Sequence, residues 1–130
     1  MKKALAPAVL FLAVLAPLAL AAQDHHVKAD LAAVGGSSVK GFVQLEQLPH
    51  GGANVHVIAK GLQPGTVYAS FYYENNDCSA AHDLLGTFTA NAGGVGEVHG
   101  KIDDDLDEVG SVSVRLGPDY GTLLACAKVH

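Results

Sequence analysis

The stretch from Gly61 to Ser79, GLQPGTVYASFYYENNDCS, constrains the chain more than any other. Pro64 fixes φ and Gly65 supplies permissive backbone, so Gly-Leu-x-Pro-Gly reverses the chain into an extended segment. From Val67 the side chains alternate. Val67, Ala69, Phe71 and Tyr73 take one face, and Tyr68, Ser70, Tyr72 and Glu74 take the other. A period of two is a strand's, not a helix's. Seven further segments (27–34, 39–47, 54–62, 84–90, 95–102, 112–116 and 122–129) read the same way, with Gly, Pro, Asn and Asp between them. Within 54–62, Val55, Val57 and Ala59 share a face opposite His56, Ile58 and Lys60. About eight short strands and no amphipathic helix predict an all-β fold, a Greek-key antiparallel sandwich or barrel.

The chain opens MKKALAPAVLFLAVLAPLALAAQ, with Lys2 and Lys3 ahead of an apolar run that ends in small residues. This is the pattern of a secretory signal peptide over 1–21, cut after Ala21 with Ala22 as the near alternative. The expectation is one domain over 22–130, roughly 109 residues, periplasmic or secreted and without membrane insertion once the signal is removed. In such a compartment Cys78 and Cys126 default to a disulfide, with free or metal-bound thiols as the alternative. Losing Lys2 and Lys3 makes the formal charge two units more negative than the −5 of the whole chain. That balance argues against nucleic acid and anionic membranes.

Five segments, in order, resemble the copper/zinc superoxide dismutase family. VKGFVQLEQ (39–47) looks like its second strand, and VHVIAKGLQPG (55–65) is similar to the strand leading into its G-L-x-P-G turn. DCSAA (77–81) falls at the first disulfide cysteine, GTFTANAGGVGEV (86–98) resembles a family hairpin, and LLACAKV (123–129) resembles the closing strand with the second cysteine. The resemblance implies a superoxide-dismutase-like, immunoglobulin-like sandwich architecture. It also implies a copper site whose first two histidines stand on the outer face of the strand after the turn. Here those positions hold Ser70 and Tyr72. The last copper histidine falls near Arg115 or Leu116, the guiding arginine is replaced by Leu123, and the zinc loop is cut down to His82 and Asp83. Copper that cycles between oxidation states needs imidazole nitrogens. The family chemistry is therefore not expected, and no residue constellation suggests nucleophilic catalysis.

Other candidates remain. Cleavage after Ala22 would leave Gln23-Asp24-His25 at the amino terminus, a square-planar nitrogen set suited to Cu(II); the alternative for His25 and His26 is a polar tail. His50, His56, His82 and His99 lie on separate loops and strands; two or three of them could form a surface metal site, but nothing in their spacing requires it, and the expectation is solvated or hydrogen-bonded surface residues. Tyr68, Ser70 and Tyr72 either line a binding face or pack beneath shortened loops. The acidic segment 103–108 lacks the glycine and spacing of a calcium loop and reads as a solvated turn. The sequence thus predicts a non-catalytic binding or structural protein with no cofactor, either monomer or homodimer, for an unidentified protein or small-molecule ligand. The alternative is a periplasmic copper-binding protein or weak dismutase using His25 and His26 or a site near His82.

Overall fold

A computed structural model describes residues 25–130. The signal peptide, its cleavage site and the Gln23-Asp24 pair lie outside the described residues. Eight strands follow in order: β1 (His26–Ala33), β2 (Lys40–Gln47), β3 (Ala53–Lys60), β4 (Val67–Tyr73), β5 (His82–Thr89), β6 (Gly96–Ile102), β7 (Ser111–Leu116) and β8 (Thr122–Lys128). Each falls within a residue or two of the segment its alternation marks. The only helix among the described residues is a 3-10 turn, Leu106–Glu108, inside the acidic segment.

All pairings are antiparallel, in the order β5-β4-β7-β8-β1-β2-β3-β6. The two ends of this order, β5 and β6, also meet, so the sheet curls into a nearly closed barrel. The seam is made by side chains over glycine. A Cβ on Gly96 would stand 2.6 Å from the Phe88 ring, and one on Gly100 would stand 2.9 Å from Leu85. Only residues without a Cβ let these two strands approach so closely.

Alternation sorts the chain into an inside and an outside. Val43, Leu45, Val55, Val57, Ala59, Val112, Val114, Ala125 and Ala127 are fully or almost fully buried inside. The residues that alternate with the inward ones along β1, β2 and β6, among them Lys28, Gln44, Glu46, His99 and Lys101, are exposed. An eight-stranded barrel is just wide enough for such side chains to fill it, and the branched and small residues here do so.

Cys78 and Cys126 form the disulfide, with Cα atoms 6.1 Å apart and a separation of 48 positions in sequence. The bond ties the segment after β4 to the outside of β8. On the chain-entropy estimate a loop of that length is worth about 4 kcal/mol. The double replacement Cys78→Ser, Cys126→Ser should therefore lower the unfolding free energy by about 4 kcal/mol in guanidinium titration. A loss under about 1 kcal/mol would mean that the bond does not restrict the unfolded chain as that estimate assumes.

Candidate functional site

The outward face of β1, β2, β3 and β6 is the open side of the barrel. Antiparallel register places Lys28, Gln44, His56 and His99 in one row across these four strands. The next row toward the barrel end is His26, Glu46, Asn54 and Lys101. Residues of both rows, Lys28, Gln44, His56 and His99 with His26, Glu46 and Asn54, line a shallow concavity of about 500 Å³. This brings together residues that are far apart in the sequence.

The densest part is on β3 and β6. His56 and His99 are directly opposite one another, with ring centroids 5.3 Å apart. Glu97 lies two residues before His99, so the strand period returns it to the same face. Its Oε2 is 3.2 Å from His56 Nε2. On β1 and β2, His26 Nε2 stands 3.9 Å from Glu46 Oε2. Lys28 reaches sideways, its ammonium 4.4 Å from the Phe42 ring centre, a cation–π contact.

Tyr68, Ser70 and Tyr72 correct the expectation of a binding face. They point into the barrel because their register partners Leu116, Val114 and Val112 belong to or pack against the core. Tyr68 is buried beside Phe88, and its hydroxyl accepts the Gln63 N–H at 2.8 Å. Ser70 is fully buried and donates to the Ser113 carbonyl at 2.8 Å. The three residues pack within or against the barrel core itself, not beneath shortened loops. Tyr72 alone reaches the barrel end, where its hydroxyl donates to Asp104 at 3.4 Å.

The other face of β4 is buried as well. Ala69 and Tyr73 are covered, and Tyr73 OH accepts from Arg115 Nε at 2.9 Å and shares a hydrogen bond with Ser113 Oγ at 2.9 Å. Arg115 also donates to the carbonyls of Cys78, Tyr120 and Gly121. Arg115, near the position of the last copper histidine in the resemblance, is thus a structural tie. Ser70 and Tyr72, the positions of the first two, face inward rather than outward. The outward residues Ala69, Phe71 and Tyr73 bring no imidazole. These donor sets do not fit a redox copper ion.

His82 is exposed on β5. Its ring meets Phe71 edge-on at 4.9 Å and tilts over Tyr73 at 5.2 Å, and Nδ1 lies 3.2 Å from the Ala80 carbonyl. The nearby Asp83 and Asp104 share a small hollow with it, but the hollow's lining contains no second imidazole. His25 is exposed at the start of the described residues, and His50 sits in the exposed β2–β3 loop.

Asp105, Asp107 and Glu108 bring carboxylate oxygens within 4.8 Å of one another. Two of the three hold the turn. Asp105 Oδ1 accepts from Gly52 N–H at 2.8 Å and from Gln47 Nε2 at 3.0 Å, and Glu108 Oε1 accepts from Asp105 N–H at 2.7 Å. The Gly52 N–H and the Gln47 amide keep the Asp105 carboxyl below its usual range. This is the solvated acidic turn expected from the sequence.

Compared with known proteins, the chain matches no family model and no curated protein.

Partial burial, reinforced by the charges of Asp104 and Asp83, pushes the Tyr72 phenol up to about 12. A raised folded value means that the folded form is favoured below the ordinary tyrosine range near 10 and loses that advantage as pH climbs toward 12. In an alkaline titration followed by phenolate absorbance, Tyr72 should be the last accessible tyrosine to ionise. Tyr72→Phe should remove that late step, and a late step that persists in the variant would assign it elsewhere.

Proposed function

We propose that the chain is an exported, superoxide-dismutase-like Greek-key barrel that has lost the family's copper and zinc ligands. It serves as a non-catalytic binding domain through the outward face of β1, β2, β3 and β6. The observation that carries this reading is the contrast between the two halves of the barrel. Near the Cys78–Cys126 bond, Ala69, Ser70 and Tyr73 of β4 are buried and offer packing residues where the family would offer imidazoles. On the open half, His26, His56, His99 and Glu46 line a shallow concavity.

Two further facts support the family and export parts of the proposal. β6 pairs with β3 and packs beside β5, which pairs with β4, and an order β3-β6-β5-β4 around the barrel supports the Greek-key reading. The disulfide joins the two cysteines that align with the family pair. Disulfides persist in oxidising compartments, which is where an exported chain would keep this one.

The copper alternative is weaker at the positions first considered for it. His82 is committed to an aromatic wall, and His26 has Glu46 rather than a second imidazole beside it.

The test is superoxide turnover by the processed, exported protein after loading with copper and zinc. The expected result is no activity beyond that of the same copper bound to an unrelated carrier protein. Turnover proportional to protein, and surviving replacement of both His56 and His99 by Gln, would overturn the non-catalytic reading.

A further inference from the structure

We propose that His56, His99 and Glu97 form a binding site for a divalent transition-metal ion of the class that prefers imidazole. The inference rests on taking the outward face of β1, β2, β3 and β6 as the binding surface, and it names the ligand class. It does not depend on the family resemblance, whose metal positions lie on other strands.

Two of the three ligand atoms, His56 Nε2 and Glu97 Oε2, already stand at the spacing of a shared ion, while the His99 nitrogens do not yet converge with both of them and reach the set only by a turn of the ring. Two imidazoles on one tetrahedral ion have ring centres about 5 Å apart, since the metal–nitrogen bond is about 2.0–2.1 Å and the ring centre lies about 1.1 Å further on. The His56 and His99 centroids are 5.3 Å apart. Two ligand atoms on such an ion are about 3.3 Å from one another, and His56 Nε2 and Glu97 Oε2 are 3.2 Å apart. A metal ion takes the place of the hydrogen that now bridges that pair. His99 is exposed, so its ring is free to turn about its side-chain torsions and complete the set.

The scaffold holds these positions firmly. β3 pairs along its whole length with β2 on one side, and from Ala53 to Ala59 with β6 on the other. Val55 and Val57, which flank His56, are fully buried. The Cα positions of residues 56, 97 and 99 are therefore fixed by the ladder, and only side-chain rotation is spent on binding.

The donor chemistry selects the ion. Two imidazoles and one carboxylate suit Zn(II), Ni(II) or Cu(II), whereas Ca(II) and Mg(II) favour all-oxygen sites. Three protein ligands leave a coordination position for water or for a donor from a partner molecule. The cations nearby do not occupy the site. Lys28 is turned to Phe42, and Lys101 lies in the neighbouring row opposite Asn54. The acidic chain as a whole favours the approach of a cation.

Zinc chloride is the probe of choice, because Cu(II) is also drawn to square-planar nitrogen sets such as the one a Gln23-Asp24-His25 terminus would supply. Calorimetric titration of the exported protein should show one zinc per chain, and the histidine ring resonances of His56 and His99 should shift in step. His56→Gln and His99→Gln should each weaken zinc at least tenfold, in the range seen when a metal site's supporting groups are removed. His82→Gln should leave the affinity unchanged. Circular dichroism melts in the absence of metal should be unaltered in all three variants, which separates ligand loss from unfolding. Zinc that shifts neither ring, or that binds the double variant His56→Gln, His99→Gln as tightly as the wild type, would overturn the site. Superoxide turnover measured on copper-loaded portions of the same samples bears on the non-catalytic reading alone.

Discussion

The layer between the Cys78–Cys126 bond and the sheet decides the character of this barrel. Ser111 and Ser113 are fully buried polar residues on the outside of β7. Such groups are tolerated only when their hydrogen bonds are made. Here they are. Ser111 Oγ donates to the Asn75 carbonyl at 2.7 Å and accepts the Cys78 N–H at 3.0 Å, and Ser113 Oγ meets the Tyr73 hydroxyl. Arg115 closes the network from the far side. The segment after β4 is thus held on the sheet twice, by a covalent bond and by satisfied polar groups. With it in place Ala69 and Tyr73 on the outward side of β4 are buried, and the region where a family resemblance would put chemistry becomes largely interior.

That arrangement explains which parts of the molecule were legible in the sequence. The strands were, since a period of two in Val55, Val57 and Ala59 has one physical solution when those residues must be buried together. The pairing of the two cysteines follows from chemistry and compartment. The fate of Tyr68, Ser70 and Tyr72 was not legible. Alternation separated them correctly from Ala69, Phe71 and Tyr73, but both sets are largely apolar or aromatic, so composition gave no inside and outside. Only the register with Val112 and Val114 on β7 decides it.

His56 and His99 show the complementary limit. Each sits at an outward position of an alternating strand: 97, 99 and 101 are Glu, His and Lys, between Val98 and Gly100. The sequence therefore contained the signal that both point to solvent. What it lacked was the neighbour relation. β3 and β6 are not consecutive, and their pairing depends on how the chain wraps around the barrel, a long-range choice that no local pattern encodes. Once β6 is laid beside β3, residues that read as scattered become a directly opposed pair.

The place of function follows from exclusion by volume and by cover. The interior is filled by Val, Leu and Ala side chains with Tyr68 and Phe88, so no ligand enters it. The outward residues Ala69 and Tyr73 of β4 and Ser111 and Ser113 of β7 are buried near the disulfide-tied segment, whereas Val67 on β4 and Leu84 on β5 stay exposed. Among the exposed sheet surfaces, that of β1, β2, β3 and β6 carries Glu46, Glu97, His56 and His99 on a pleated and rigid floor. Side chains on strands are placed more precisely than those on loops. In a barrel whose core is closed by packing and part of whose outside is tied down by a cystine, the proposed binding surface is the face whose polar side chains the strand ladder itself holds in register.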